Sequence, residues 1–336
     1  MKSKRIELMK FGSAAEAFQI NDFQIDAPKF GEVQVEVLAS GLNFADIMAR
    51  RGMYAPVKKL PFTLGYDVVA KVVAVGEGVD ASWLDKKVLS LSRFRGYSKH
   101  LNLSVHGLVE IPDSIEAGEA ISYTTAFLTA YLMVEDYAGM VEGKSALVYS
   151  AAGGVGYFLY HFLLQRGAIP TAIVGTEDKR SLIKEHGVKR EIHLTQEFAS
   201  EDKKFDLIFN ARGGQTVKAD LKRLNPGGRI VLFGAADQLK GGGIIGKLKL
   251  LFGFGFHSPI KLIVNSTSIC GFNLLSFSAA RPEAVVKAHK RAVAEFINSN
   301  TKVLPSCGFA PEKIGEAHSL MESGLSTGKL YIDWTA

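Results

Sequence analysis

The feature that most constrains this sequence is a glycine-rich turn between an apolar run and a helical pattern. The turn reads Ala151-Ala152-Gly153-Gly154-Val155-Gly156, after the apolar run that ends at Tyr149. Gly153 would let a pyrophosphate approach the backbone, and Gly156 would let the helix pack close to the strand. The helix N-terminus would offer N–H groups to the phosphates. A tight turn without a ligand is the alternative, but the strand–turn–helix context predicts nucleotide contacts from residues 152 to 156.

The pattern of apolar segments predicts an α/β fold with two domains. From residue 145 onward, apolar strands alternate with helical patterns, which indicates a doubly wound, six-stranded parallel sheet. The first third is β-rich, and the segment Lys329–Trp334 is predicted to be a strand that returns to that first domain. We therefore predict a β-rich domain at 1–122 and 278–336 and a dinucleotide-binding domain at 123–277. The predicted parallel strands are Ser145–Tyr149, Thr171–Val174, Glu191–Leu194, Phe205–Asn210, Arg229–Phe233 and Ser268–Phe272.

Composition excludes several classes of function. The two cysteines among 336 residues cannot form a disulfide framework or a four-cysteine zinc site, which is typical of a cytoplasmic protein. No apolar leader is evident at the start of the sequence, and no apolar run is long enough for a membrane-spanning helix. The net charge of +6 comes from scattered lysines, which favours a solvated basic surface over nucleic-acid binding.

Several short motifs resemble one known family. Residues 41–46 (GLNFAD), 51–54 (RGMY), 61–67 (PFTLGYD) and 225–229 (NPGGR) occur in the order found in the medium-chain dehydrogenase/reductase superfamily. They resemble its zinc-free quinone oxidoreductase branch, and residues 271–274 (GFNL) resemble the vesicle amine transport protein homologues within it. The resemblance implies a Rossmann domain, a GroES-like catalytic domain and a homodimer that pairs through the strand Ser268–Phe272.

Metal ligands are missing where zinc enzymes of this superfamily carry them. Zinc alcohol dehydrogenases have Cys and His in the first signature and Gly-His-Glu in the second, whereas this sequence has Asn43, Met48 and Tyr66-Asp67. A zinc site needs three or four Cys, His or carboxylate ligands together. We therefore expect no metal, and reduction of a substrate without one.

The end of the second parallel strand favours NADPH over NADH. NAD-binding sheets usually place Asp or Glu there to bind the ribose 2′-OH. Here Val174 is followed by Gly175 and Thr176, which leave room for a 2′-phosphate that Lys179 and Arg180 would contact. Glu177 and Asp178 lie nearby in the sequence and oppose this assignment, so NADH stays the alternative.

The resemblance also implies the residues at the reacting end. Asn43 and Tyr54 are expected to face the substrate, with the Asn43 amide donating to a substrate carbonyl oxygen and Tyr54 orienting the substrate or relaying a proton. The alternatives are that Asn43 bonds only its own backbone and that Tyr54 only packs. Asp46 is expected to be structural. Further cofactor contacts are predicted at Asn43, Thr129, Asn210, Phe233, Gly234, Phe272, Asn273 and Lys329.

The segment 241–259 is basic, apolar and rich in glycine. It is interpreted as a lid, as an insertion at a domain or dimer interface, or as a peripheral membrane contact. The sequence as a whole predicts direct hydride transfer from NADPH to a small electron-poor acceptor, either a quinone or an α,β-unsaturated carbonyl. The competing hypothesis is an adaptor for a membrane or a protein partner, with a nucleotide site but little catalysis.

Overall fold

The computed structural model describes residues 1–54, 56–57, 59–236, 252–299 and 301–336, and they form two compact units. The first unit comprises Met1–Leu128 and Ser278–Ala336, and the second comprises Thr129–Phe277. The sequence places the first boundary after residue 122, whereas the structure divides the chain after Leu128. Both place the second boundary between residues 277 and 278.

The strands β1 to β15 account for most of both cores. In chain order they are Lys2–Leu8, Phe18–Gln24, Glu32–Gly41, Asp67–Val75, Lys87–Leu91, His100–Ser104, Leu108–Glu110, Ser145–Val148, Ile169–Val174, Ile192–Leu194, Phe205–Asn210, Leu224–Leu232, Ser268–Gly271, Cys307–Phe309 and Leu330–Asp333. The α-helices are Phe44–Arg50, Ala117–Ala120, Thr125–Leu132, Gly154–Gln165, Glu177–Glu185, Thr195–Phe198, Gln215–Lys222, Pro259–Asn265, Leu274–Ala280, Pro282–Ile297 and Ile314–Ser323.

The first unit is built on a mainly antiparallel sheet. Its strands lie in the order β14-β15-β3-β4-β5-β7, and β6 also pairs with β3. Val33, Val35 and Val37 of β3 are fully buried, as the alternation in the sequence predicts. Strand β15 lies between β14 and β3, which confirms that the segment near residue 330 returns to the first domain.

The second unit contains the predicted parallel sheet. Its order is β10-β9-β8-β11-β12-β13, and every neighbouring pair is parallel. Strands β8, β9 and β11 are largely buried because helices can cover both faces of such a sheet. Strand β12 begins at Leu224 rather than at the predicted Arg229, since Leu224 already pairs with Phe205 ahead of a register shift. The doubly wound architecture is confirmed.

Candidate functional site

The glycine turn lies where the strand order of the parallel sheet reverses. Strand β8 has β9 on one side and β11 on the other, and the chain leaves β8 through the turn into the helix Gly154–Gln165. Ligands of doubly wound sheets bind at this reversal, beyond the carboxyl ends of the strands. Gly153 is the N-cap of the helix, and as a glycine it has no side chain to accept a hydrogen bond from the N–H groups of the first turn. Such N–H groups have no partner within the helix and are suited to bind an anion.

Close approach explains the last glycine of the turn, and burial explains the first alanine. A β-carbon at Gly156 would lie 2.4 Å from the carbonyl oxygen of Ser150, so only glycine lets the helix pack here. At Gly153 the same oxygen would be 3.3 Å away, which is tight but less restrictive. Ala151 is fully buried and donates its N–H to the carbonyl of Ile173 at 3.0 Å. The departure from glycine at this first position is therefore accommodated in the fold.

The end of β9 has open space at Gly175, on the side where a β-carbon would lie. A β-carbon there would meet no atom within 4 Å. Thr176 is the N-cap of the helix Glu177–Glu185, and its side chain accepts from the N–H of Lys179 at 3.4 Å. Burial lowers the pKa of the Lys179 ammonium. Arg180 is paired with Glu197, and with Glu177 at 3.5 Å, so the suggestion that it contacts a phosphate is weakened.

Asn210 at the end of β11 is fully buried, and its side chain shapes the following loop. Its Oδ1 accepts from the N–H groups of Arg212 and Gly213, each at 2.8 Å. Its Nδ2 donates to Thr216 at 2.9 Å and to Asp220 at 2.5 Å. The predicted cofactor contact at this position stays a prediction. Since the side chain of Asn210 is bonded within the protein, we expect the backbone of the following loop to make that contact.

The remaining predicted contacts of the second unit have mixed surroundings. Phe233 follows β12 and is half-buried, and a β-carbon at Gly234 would lie 2.4 Å from the carbonyl oxygen of Ala211. Phe272 is buried against Tyr137 and Phe277, so its ring belongs to an aromatic cluster of the unit. Asn273 caps the helix Leu274–Ala280, because its Oδ1 accepts from Ser276 N at 3.0 Å. Thr129 is half-buried on the helix Thr125–Leu132, and Ala152 is buried in the glycine turn.

In the first unit, the structure brings Asn43 and Lys329 together around a carboxylate that the sequence analysis did not single out. The Lys329 Nζ donates to Asn43 Oδ1 at 2.8 Å and to Asp67 Oδ2 at 2.9 Å. Asn43 Nδ2 donates to Asp67 Oδ1 at 2.7 Å and, more weakly, to the carbonyl of Gly41 at 3.4 Å. Both amide protons of Asn43 thus have acceptors within the protein, so a bond to a substrate oxygen would have to replace one of them, and that role stays a prediction.

Asp67 is fully buried, yet it stays a carboxylate. Burial alone would raise its pKa, but the charge of Lys329 and the hydrogen bonds from Thr124, Lys329 and Asn43 hold the pKa below its usual range. Thr125 N also donates to Asp67 Oδ2 at 3.2 Å. A β-carbon at Gly41 would lie 2.6 Å from Asp67 Oδ1, so glycine is needed beside this pair.

Asp46 and Tyr54 lie close by in the sequence but have different roles. Asp46 is fully buried and accepts from Asn43 N at 2.9 Å and Gly65 N at 3.1 Å, which confirms a structural role. Burial raises its pKa to about 7, against the lowering effect of those two N–H groups. Tyr54 is half-buried, with its ring edge-on to Tyr66 at a centroid distance of 6.2 Å.

Asp67, Thr124 and Asp220 are the residues that sequence reasoning missed. Asp67 opens the apolar strand β4, and a single charge at the head of such a strand was the available signal. Asp220 lies on a short amphipathic helix, where an acidic residue ordinarily faces solvent, so nothing in the sequence marks it.

In the part of the chain that the structure describes, no three His, Cys, Asp or Glu side chains are placed to hold a metal ion. Within the same residues, no helix is long and apolar enough to span a membrane. Residues 241–251 of the segment 241–259 lie outside the described residues. The described remainder exposes Phe252 by 57% and Phe256 by 92%, so these rings are uncovered in a single chain.

Comparisons with known proteins agree with this architecture. Residues 29–126 match the family model of the alcohol dehydrogenase GroES-like domain, and residues 154–289 match that of zinc-binding dehydrogenases. The synaptic vesicle membrane protein VAT-1 homolog of Mus musculus is 28% identical over 316 residues, which span 91% of this chain and 77% of that protein.

Two solved structures share the fold over almost their entire length. The CurK enoyl reductase superposes with a TM-score of 0.83 at 23% identity, covering 98% of this chain and 99% of that one. The quinone oxidoreductase of Thermus thermophilus, also solved as its complex with NADPH, has a TM-score of 0.77 at 24% identity with the same coverage. Together with the motifs, the two family models show that the chain belongs to the medium-chain dehydrogenase/reductase superfamily, in which it is similar to the VAT-1 homologues and shares the fold of the quinone oxidoreductases.

Proposed function

We propose that this protein is an NADPH-dependent oxidoreductase that reduces a quinone or an α,β-unsaturated carbonyl compound without a metal ion. The observation that carries the proposal is the helix N-terminus at Gly153, whose cap residue has no side chain and which lies where the parallel sheet reverses its strand order. Such a terminus binds pyrophosphate through its N–H groups and its dipole. The close packing of Gly153 and Gly156 against Ser150 supports a dinucleotide at this turn, and the Thermus thermophilus neighbour was also solved as its complex with NADPH.

The preference for NADPH is supported by the open space at Gly175. Val174 and Gly175 end β9 without the carboxylate that NAD-binding domains place there to accept from the ribose 2′-OH. We expect Gly175→Asp, whose side chain has room, to weaken NADPH binding at least about tenfold by repulsion of the 2′-phosphate and to weaken NADH binding much less. Fluorescence titration with both cofactors measures this difference, and equal effects on both would contradict the preference.

The cluster of Asn43, Asp67 and Lys329 supports a role at the reacting end. Bound NADPH would supply the hydride. The Lys329 ammonium has three N–H donors, and Asn43 and Asp67 accept two of them. We propose that the third contacts the cofactor, and that Asp67 and Asn43 fix its direction. Tyr54 is proposed to orient the substrate.

The activity is tested by following the absorbance of NADPH with a panel of quinones and enones. We expect acceptor-dependent oxidation that is slower in Lys329→Met, while the exposed-site variant Lys86→Met keeps wild-type rates. Isotope-labelled NADPH would show whether the hydride reaches the acceptor directly. Absence of acceptor-dependent oxidation across the panel, in a protein that binds NADPH, would overturn the proposed reaction.

A second candidate is a membrane or partner adaptor that retains the nucleotide site. It is favoured by the exposed rings of Phe252 and Phe256, which an apolar surface would cover. Flotation with liposomes that contain anionic phospholipids tests it, with Phe256→Ser as the comparison variant. If the wild-type protein does not float, the membrane form of this candidate fails.

A further inference from the structure

Two buried or partly buried carboxylates tie the same pair of parallel strands at opposite ends. At the amino end, Asp206 accepts from Ser145 N at 2.9 Å and Ser145 Oγ at 2.8 Å, and from Asn225 Nδ2 at 2.9 Å. At the carboxyl end, Asp220 accepts from the Tyr149 hydroxyl at 2.7 Å and from Asn210 Nδ2 at 2.5 Å. The first tie is remote from the ligand side of such a sheet, and the second lies on it.

The partners of Asp220 are the residues from which two ligand-side loops depart. Tyr149 directly precedes Ser150 and the glycine turn, and Asn210 ends β11. Asn210 in turn holds the N–H groups of Arg212 and Gly213. Thr216 completes the loop by donating from its hydroxyl to the carbonyl of Gly213 at 2.7 Å. One carboxylate therefore sets the relative position of the loops on both sides of the reversal.

The surroundings of Asp220 are costly for a carboxylate. It is fully buried, and the nearest positive charges that act on it are those of Arg223 and Arg212. Burial raises its pKa, although the bonds from Tyr149 and Asn210 oppose that effect. An apolar side chain would avoid the desolvation cost, but it would leave two buried donors without an acceptor.

We propose that Asp220 is a positioning residue for the nucleotide, because it holds the ends of β8 and β11 so that the loops after them keep one shape for the cofactor. This inference rests on the proposed function of the site. Asp220 contacts no cofactor itself and acts through Tyr149 and Asn210.

The hydrogen-bond directions predict which substitution is tolerated. Asn210 cannot turn its amide over, because its Oδ1 is fixed by two backbone N–H groups. Position 220 must therefore present an acceptor to Asn210. Asn can do this with Oδ1 while its Nδ2 faces Tyr149, whose hydroxyl can rotate to accept. Ala offers no acceptor to either donor.

The experiment compares four variants of the full chain by NADPH titration, by steady-state kinetics and by thermal unfolding. Asp220→Ala is expected to bind NADPH at least about tenfold more weakly and to raise the KM for NADPH, with the KM for the acceptor unchanged. Asp220→Asn is expected to stay within about threefold of wild type. Asp206→Ala, the control at the other end of the strands, should lower the melting temperature and leave the NADPH Kd unchanged. Tyr149→Phe removes a single hydroxyl and should weaken NADPH binding about fivefold. It serves as the test variant if Asp220→Ala does not fold.

The outcomes separate the inference from the function on which it rests. Wild-type binding of NADPH together with unchanged binding by both Asp220→Ala and Tyr149→Phe would overturn the positioning role alone. The same conclusion would follow if Asp206→Ala weakened binding as much as Asp220→Ala, because the effect would then be general loss of stability. A wild-type protein that binds neither NADPH nor NADH would overturn the proposed function and this inference with it.

Discussion

At the scale of single residues, the ion pair of Lys329 and Asp67 shows what a buried charge requires. Asp67 receives hydrogen bonds from Asn43, Thr124, Thr125 N and Lys329, which together fill the acceptor sites of a carboxylate. Lys329 is 3% exposed and neutralises the charge. Such a pair adds little over apolar packing, but each member depends on the other, because a lone buried charge is strongly unfavourable.

We expect Lys329→Met to lower the free energy of unfolding by about 3 kcal/mol, since Asp67 would keep its burial and lose its counter-ion. Urea denaturation at neutral pH measures this loss. Lys86→Met is the matched control, because Lys86 pairs with Glu110 at 2.7 Å on the surface, where water replaces the partner. Equal losses of unfolding free energy in the two variants would show that breaking the buried pair costs no more than breaking an exposed one.

Asp46 is expected to make stability depend on pH in the opposite sense from most carboxylates. Its pKa is about 7 in the folded protein and has its ordinary value of 3.8 in the unfolded chain. Between these values the folded state holds the proton that the unfolded state releases, so stability falls as pH rises from about 4 to 7, by about 4 kcal/mol. Above pH 7 this contribution is constant.

The comparison of wild type with Asp46→Asn isolates that effect from other titrating groups. The variant loses one acceptor for the N–H groups of Asn43 and Gly65, which costs stability at every pH. Its free energy of unfolding should nevertheless approach that of wild type as pH rises from 4 to 8. A difference that does not change over this range would contradict the raised pKa of Asp46.

At the scale of elements, apolar runs were enough to predict the parallel sheet, because strands buried on both faces must be apolar throughout. Strand β11 was predicted to the residue, and β12 was predicted too short because Asn225-Pro226-Gly227-Gly228 reads as a turn. The strand starts earlier because Leu224 pairs with Phe205, and the stretch up to Arg229 is an irregularity in which Gly227 has a positive φ. The partners of Asp67 and Asp220 were beyond reach, since they come from distant segments that only the tertiary fold assembles.

The glycine turn makes a prediction about the helix that follows it. Gly156→Ala places a β-carbon 2.4 Å from the Ser150 carbonyl oxygen, so the helix Gly154–Gln165 must move away from the end of β8. We expect a lower melting temperature and NADPH binding weaker by at least about tenfold. Gly153→Ala, with 3.3 Å to the same oxygen, should cost clearly less stability. The opposite order of melting temperatures would show that the helix does not depend on this close approach.

At the scale of the whole molecule, we propose that two copies of the chain associate through the outer edge of the parallel sheet. Within the part of the chain that the structure describes, β13 is the last strand in the sheet order, so no strand lies along its outer edge there. The preceding helix Pro259–Asn265 leaves Ile260, Ile263 and Val264 between 71% and 77% exposed. An apolar surface next to an open strand is typical of an interface between subunits.

Sedimentation velocity is expected to show a dimer for the wild type and a shift toward monomer for Ile263→Asp, which places a charge on this surface. Leu325→Asp is the control, because Leu325 is also exposed, by 65%, but lies in the first unit. This variant should sediment as wild type. A monomeric wild type would rule out the association.

The interior position of β15 has a consequence for the order in which the protein matures on the ribosome. Chains emerge from the N-terminal side, and domains generally fold as units as they appear. The second unit is complete once Phe277 has emerged, whereas the sheet of the first unit lacks a strand between β14 and β3 until residues 330–333 arrive. The ion pair of Asp67 likewise cannot form until Lys329 has been synthesised. The nucleotide-binding unit can therefore mature first, and the unit that was begun first is finished last.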